Sequence, residues 1–319
     1  MKRGFITAAV VLSLLGAALF AAAFFASGFD FTKLDTGTYE TNSYTVSEAF
    51  EVIEIRSDEA EIAFKPSGDG KLRVDCVERE KVRHTVTVEN GVLKVAVLDT
   101  RAWYDRLTFF SFKPQSITVW LPGERYKALT VDSATGDVSV PDCFSFGEAE
   151  ITASTGDVSF EASLEGSLKI KTSTGAIRLD GVRAEEIDLS VSTGRIEGKN
   201  VDCVKTFSFT VSTGKAVLTG VTAGSMTSSG STGGVRLENA VVSGKLHLER
   251  DTGDVRFSNC DAGEITVRTS TGDVTGTLRS GKNFVVKTST GGISVPESTA
   301  GGRCEITSST GDIRISVAE

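Results

Sequence analysis

A Thr-Gly dipeptide recurs at a near-constant period ten times in the C-terminal two thirds of the chain. The copies are Thr135-Gly136, Thr155-Gly156, Thr174-Gly175, Thr193-Gly194, Thr213-Gly214, Thr232-Gly233, Thr252-Gly253, Thr271-Gly272, Thr290-Gly291 and Thr310-Gly311. Their glycines are spaced 20, 19, 19, 20, 19, 20, 19, 19 and 20 residues apart, and Ser precedes the pair in eight copies. A fixed period of this length marks a repeat architecture, in which each copy is one unit that buries its apolar face only against its neighbours.

Aligning the copies on Gly shows what the unit is. Seven residues before it stand Leu129, Leu168, Ile187, Phe207, Met226 and Leu246; five before stand Val131, Ile151, Ile170, Leu189, Phe209 and Leu248. Two after stand Val138, Val158, Ile177, Ile196 and Val235; four after stand Val140, Phe160, Leu179, Leu218 and Leu237. Apolar residues therefore alternate on both sides of the pair, with the period of a strand and not of a helix. The pattern predicts an all-β chain, a single-stranded β-solenoid of about ten rungs of 19–20 residues. Gly is expected at the corner for its backbone freedom or for close approach of rungs. Thr is expected to turn its methyl inward and bond with its hydroxyl across the corner. On this reading the ten pairs are a structural turn ladder.

Residues 4–29 carry no charge, and Lys2 and Arg3 precede them. As a helix this run reaches about 39 Å, enough to cross a hydrocarbon core of about 30 Å. The positive flank places the rest of the chain outside the cytoplasmic membrane. An uncleaved signal anchor is favoured over a cleaved signal peptide, whose apolar region is shorter. The resulting organisation is an anchor at 1–29, a polar linker at 30–42, a β-rich N-terminal cap with degenerate rungs at 43–125, and the repeat domain at 126–319. The cap holds a strand-turn-strand at Val52–Phe64 and a hairpin signal at Asn90-Gly91. Its aromatic stretch, Trp103, Tyr104, Phe109, Phe110, Phe112 and Trp120, reads as a plug for the rod end, or else as a binding patch for a glycan or protein.

The residues that could carry chemistry are few. Asp follows Gly in five copies, at Asp137, Asp157, Asp254, Asp273 and Asp312. Neighbouring carboxylates about 5 Å apart would suit a retaining glycosidase or Ca²⁺. The same column carries Arg195 and Lys215, which argues against both. His84 and His247 lack partners at ligand spacing, and no nucleophile elbow or phosphate loop is present. The five cysteines, at 76, 143, 203, 260 and 304, share the phase of apolar neighbours and read as buried free thiols. No cofactor or metal is expected. A net charge of −8 argues against nucleic acid as a partner.

The run Ser116–Pro122, then Leu129–Val140, then recurrent Ser-Thr-Gly-Asp-x-Val, resembles a large bacterial family of candidate adhesins with β-helix-like repeats. Relatives of the LiaG type, linked to envelope stress, share the single N-terminal span. The resemblance covers about residues 45–319 and offers no catalytic residues to carry over. The expectation is a non-enzymatic, single-pass membrane protein with an extracytoplasmic solenoid that binds cell-wall polymer or an envelope protein. The alternatives are an accessory or sensor protein of an envelope-stress response, and a polysaccharide-acting enzyme using an Asp pair.

Overall fold

The computed structural model describes residues 2–26, 28, 39–101, 115–297 and 300–318. The apolar run forms one helix, α1 (Lys2–Ala26). Its Ala9–Ala26 window has a mean hydropathy of 2.4 and is the one described helix long and apolar enough to cross a membrane; a signal sequence would meet the same criteria.

Beyond the helix the described elements are strands, joined into one continuous sheet that winds as a solenoid. Successive copies of the repeat stack in parallel and in register. Ile151 pairs with Val131 on one side and Ile170 on the other, and Thr155 faces Thr135 and Thr174. The apolar columns read from the sequence line the interior: Ile151, Ile170, Leu189, Phe209, Leu248 and Val267 are 0 % exposed. A second corner lies six residues after Gly, at Gly181, Asn200, Gly220, Asn239 and Asn259. All five have positive φ, a conformation left to Gly and Asn because other side chains meet the following carbonyl. Asn259 also donates from Nδ2 to Asn239 Oδ1 at 2.7 Å, bonding one rung to the next.

Both ends depart from sequential stacking. The cap strands are β1 (Tyr39–Val46), β2 (Val52–Ser57), β3 (Ala60–Pro66), β4 (Leu72–Arg79), β5 (Val82–Glu89), β6 (Val92–Asp99), β7 (Gln115–Leu121), β8 (Arg125–Thr135) and β9 (Val138–Val140). The β2/β3 rung pairs with β8/β9 on one side and with β6/β7 on the other. The later rung thus lies outside the earlier one. Antiparallel strands finish the end: β5 beside β6, β4 beside β7, and β1 beside β4. Asn90 and Gly91, both at positive φ, make the β5–β6 turn. At the C-terminus, Arg303–Thr310 inserts between Val255–Thr271 and Asn283–Thr290 and is parallel to both. Ile313–Val317 likewise pairs with Val274–Leu278, and Ile313 and Arg314 pair with Ile293–Ser294. The last strands of the chain are therefore internal, and the outermost rung is the one before them.

Three expectations are corrected. The ladder threonines are exposed in all ten copies, because the corner interrupts the alternation. The inward position is two residues earlier, and its hydroxyls make the cross-corner bonds. Thr172 Oγ1 donates to the Gly156 carbonyl at 3.4 Å, and Thr288 Oγ1 to that of Gly311 at 3.0 Å. Cys143 is exposed; the other four cysteines are buried, and all five are free. Trp120 does not plug the rod. It lies on the outer face of β7, its Nε1 donates to Asp75 Oδ2 at 2.7 Å, and Arg73 and Lys65 sit 4.6 and 5.2 Å from its ring centre.

The inward column three before Gly contains one cation, Arg250, 3 % exposed. Its guanidinium lies 6.0 Å from the Phe209 ring centre and donates to Ser228 Oγ, while its Nε has no partner. Gly230 on the preceding rung makes the room, since a Cβ there would collide with the Arg250 Nη1 and the Val211 carbonyl. Burial lowers the Arg250 pKa to about 10, so the charge opposes folding at any pH below that value. Replacing a buried charge by an apolar side chain of similar size stabilises by roughly 1–4 kcal/mol in comparable cases. Arg250→Met is expected to raise the urea midpoint at neutral pH; an unchanged or lower midpoint would show that the guanidinium is fully compensated.

Candidate functional site

The Thr-Gly corner forms a long edge whose outward side chains are set by the residue after Gly. Each of the five Asp in this column uses one carboxylate oxygen on the backbone of the rung stacked beside it. Asp137 Oδ1 accepts the Asp157 amide at 2.7 Å, and Asp157 Oδ1 accepts the Ala176 amide at 2.7 Å. Asp254 accepts from Asp273 at 3.1 Å, Asp273 from Asp312 at 2.8 Å, and Asp312 from Gly292 at 2.6 Å. These are structural amide acceptors. Burial alone would raise the Asp157 pKa, but the Ala176 amide and the Arg178 guanidinium outweigh it and hold the carboxyl below its ordinary value. In the three copies that carry Ala176, Arg195 and Lys215 in place of Asp, the strand runs through the corner and pairs continuously: Ala176 with Arg195, and Arg195 with Lys215.

Between the two Asp runs the edge opens into a shallow trough floored by Gly175, Gly194, Gly214 and Gly233. Its rims carry Asp157, Arg195 and Lys215, and it continues past Gly234 to Arg236, Asp254 and Arg256. Arg195 pairs with Glu197 at 3.2 Å and Arg256 with Asp254 at 3.0 Å. Among the described residues the Lys215 side chain has no ion-pair or hydrogen-bond partner. The trough exists because Ala176 and Gly234 put little or nothing above the glycine floor.

The glycines have φ of +142° at Gly156 and +145° at Gly194, which a side chain rarely adopts. A Cβ at Gly194 would also collide with the Gly175 carbonyl oxygen. The turn ladder thus places the trough without supplying a reactive group. Trp103, Tyr104, Phe109 and Phe110, the alternative binding patch, lie outside the described residues.

A second cluster lies inside the N-terminal cap, at residues whose spacing in sequence gives no ligand pattern. Cys76 and Glu78 alternate on the inner face of β4, and β5 returns His84 to the same space. All three are buried, and one donor atom from each lies within 4.8 Å of the others. His84 Nδ1 is 2.8 Å from Glu78 Oε2, which also accepts the His84 amide at 2.6 Å. Glu78 Oε1 accepts from Asn42 Nδ2 at 2.7 Å and from the Tyr44 hydroxyl at 3.2 Å. Burial, aided by Glu78, pushes the Cys76 thiol up to about 12 and the Tyr44 phenol to about 12. His247, in contrast, is half-exposed with Glu249 at 3.9 Å.

The profile of the Toastrack DUF4097 family matches residues 50–214 and again 202–319. The chain belongs to that family. The two Toastrack matches together take in both the cap cluster and the trough. A crystal structure of a candidate adhesin from Parabacteroides distasonis aligns with a TM-score of 0.48 at 13% identity, covering 87% of this chain and 98% of its own. One from Parabacteroides merdae gives 0.47 at 11% identity, covering 87% and 97%. A candidate lipid-binding protein from Parabacteroides distasonis gives 0.43 at 12% identity, covering 89% and 98%. No curated protein matches this chain.

Proposed function

We propose that this protein is a non-enzymatic module, held by α1 in the cytoplasmic membrane with its solenoid outside, and that it binds cell-wall glycan along the Thr-Gly corner. The observation that carries this reading is the trough from Asp157 to Arg256, a glycine-floored strip of constant rung spacing rimmed by charged side chains. Arg195 and Lys215 offer donors, Asp157 and Asp254 offer acceptors, and the flat floor admits an extended polymer. The anchor rests on the length of α1 and on Lys2 and Arg3 before it. The non-enzymatic reading is supported by the Asp column, whose carboxylates are bonded to neighbouring amides and are spaced by rungs carrying Arg195 and Lys215.

Binding is tested by co-sedimentation of the detergent-solubilised full chain with isolated cell-wall polymer. Arg195→Glu combined with Lys215→Glu is expected to weaken binding by about tenfold, equivalent to about 1.4 kcal/mol. Equal sedimentation of the two proteins, or none of either, would remove the proposal.

A further inference from the structure

The geometry points to a transition-metal site of the Zn²⁺ class, formed by Cys76, Glu78 and His84 inside the cap. The cluster is anomalous in its place. Most of the interior is apolar, yet here a thiol, a carboxylate and an imidazole converge, with the Glu78 and His84 side chains 0 and 1 % exposed. The carboxylate is held by Asn42, Tyr44 and two nitrogens of His84, so its position is fixed before any ion arrives. The imidazole is not satisfied in the same way. Its Nε2 is buried without a hydrogen-bond partner. An unpaired buried nitrogen is a standing cost to folding, and it marks a pocket whose polar groups are not all satisfied.

The Nδ1 contact with Glu78 has its own meaning. An ion held by Cys76 and Glu78 would meet the imidazole at Nδ1, the ring nitrogen that already faces the carboxylate at 2.8 Å. The donor set selects the ion. Mixed sulfur, nitrogen and oxygen donors suit Zn²⁺ and its neighbours, whereas Ca²⁺ and Mg²⁺ take oxygen alone. On binding, Cys76 gives up its thiol proton to solvent, and thiolate plus carboxylate neutralise the divalent charge. The ion would tie β4 to β5 where the chain passes from one face of the cap to the other. The three residues reach one another only through strand alternation and a turn.

The test uses the full chain in detergent, stripped with a chelator and dialysed against Zn²⁺. One Zn²⁺ retained per chain, with a raised melting temperature, is expected. Co²⁺ in its place should give a thiolate-to-cobalt absorption band. Cys76→Ser should abolish that band and His84→Gln should weaken Zn²⁺ binding by at least about tenfold. Cys203→Ser, which removes a buried thiol elsewhere, should leave both intact. If wild-type protein retains no Zn²⁺ and shows no Co²⁺ band, the site does not exist, whether or not the variants fold. A band lost in Cys203→Ser but kept in Cys76→Ser would overturn the assignment equally.

Discussion

Removing residues 303–319 is expected to collapse the C-terminal end of the rod, whereas removing residues 283–302 leaves it folded. The two deletions are of similar size, seventeen and twenty residues, so chain length does not separate them. What separates them is position in space. Residues 303–317 form an internal rung with strands on both sides. Their loss removes Cys304, Ile306, Ile313 and Ile315 from the core, of which the three isoleucines alone are worth about 4–9 kcal/mol at 1.5–3 kcal/mol each. It also strips the partner from the rung before it and leaves Asn283–Thr290 attached to nothing. The second deletion joins Lys282 to Arg303, and the register already equates Asn283 with Arg303. It removes only the outer rung, whose Phe284, Val286 and Val295 are partly buried. The shortened protein is then a sequential solenoid with one rung fewer. Circular dichroism melts and gel filtration distinguish the outcomes. Equal stability of the two deletions would refute the interleaved topology.

Gly194→Ala is the second large effect, with an expected loss of about 2–6 kcal/mol in denaturant unfolding. Two costs combine at this position. The φ of +145° is strained for a side chain, worth roughly 1–3 kcal/mol. The new methyl would also overlap the Gly175 carbonyl oxygen, and overpacking a rigid site costs about 1–3 kcal/mol more. The sheet cannot open locally to relieve it, since Gly194 pairs with Gly175 on one side and Gly214 on the other. Gly68, whose added Cβ meets nothing within 4 Å, provides the control: Gly68→Ala should change stability little. A neutral Gly194→Ala would mean that the corner is far softer than its geometry implies.

The parts of this structure legible in the sequence are those where burial follows period two. Val131, Ile151 and Ile170 announce an inward column because apolar residues occupy it in every copy but one, where Ser228 stands. The column at Thr172, Thr269 and Ser308 is equally inward but mixes these polar residues, whose hydroxyls find carbonyls across the corner, with Ala153, Val191 and Val211. Thr155 and its equivalents are misphased by alternation for a related reason: the turn at Gly inserts an irregularity that period two cannot carry through. The corner at Asn200 and Gly220 escapes a search for one recurring residue because two residue types share one conformational task. The interleaved ends leave no trace in residue pattern, since a displaced rung has the same inward positions as an adjacent one. For the cap cluster, Cys76 and Glu78 are two apart and His84 follows a turn, a spacing that announces nothing until the strands are placed.

The interleaved ends also dictate how a protein of this kind can vary in length over evolutionary time. A repeat duplicated at the C-terminus would find the docking surface of the internal strands already taken on both sides. One added before β2 would meet the antiparallel cover of the cap. Only the uninterrupted middle, between Gly156 and Gly253, accepts or loses a copy without disturbing either lock. Each such event would move the two ends apart or together by about 4.8 Å.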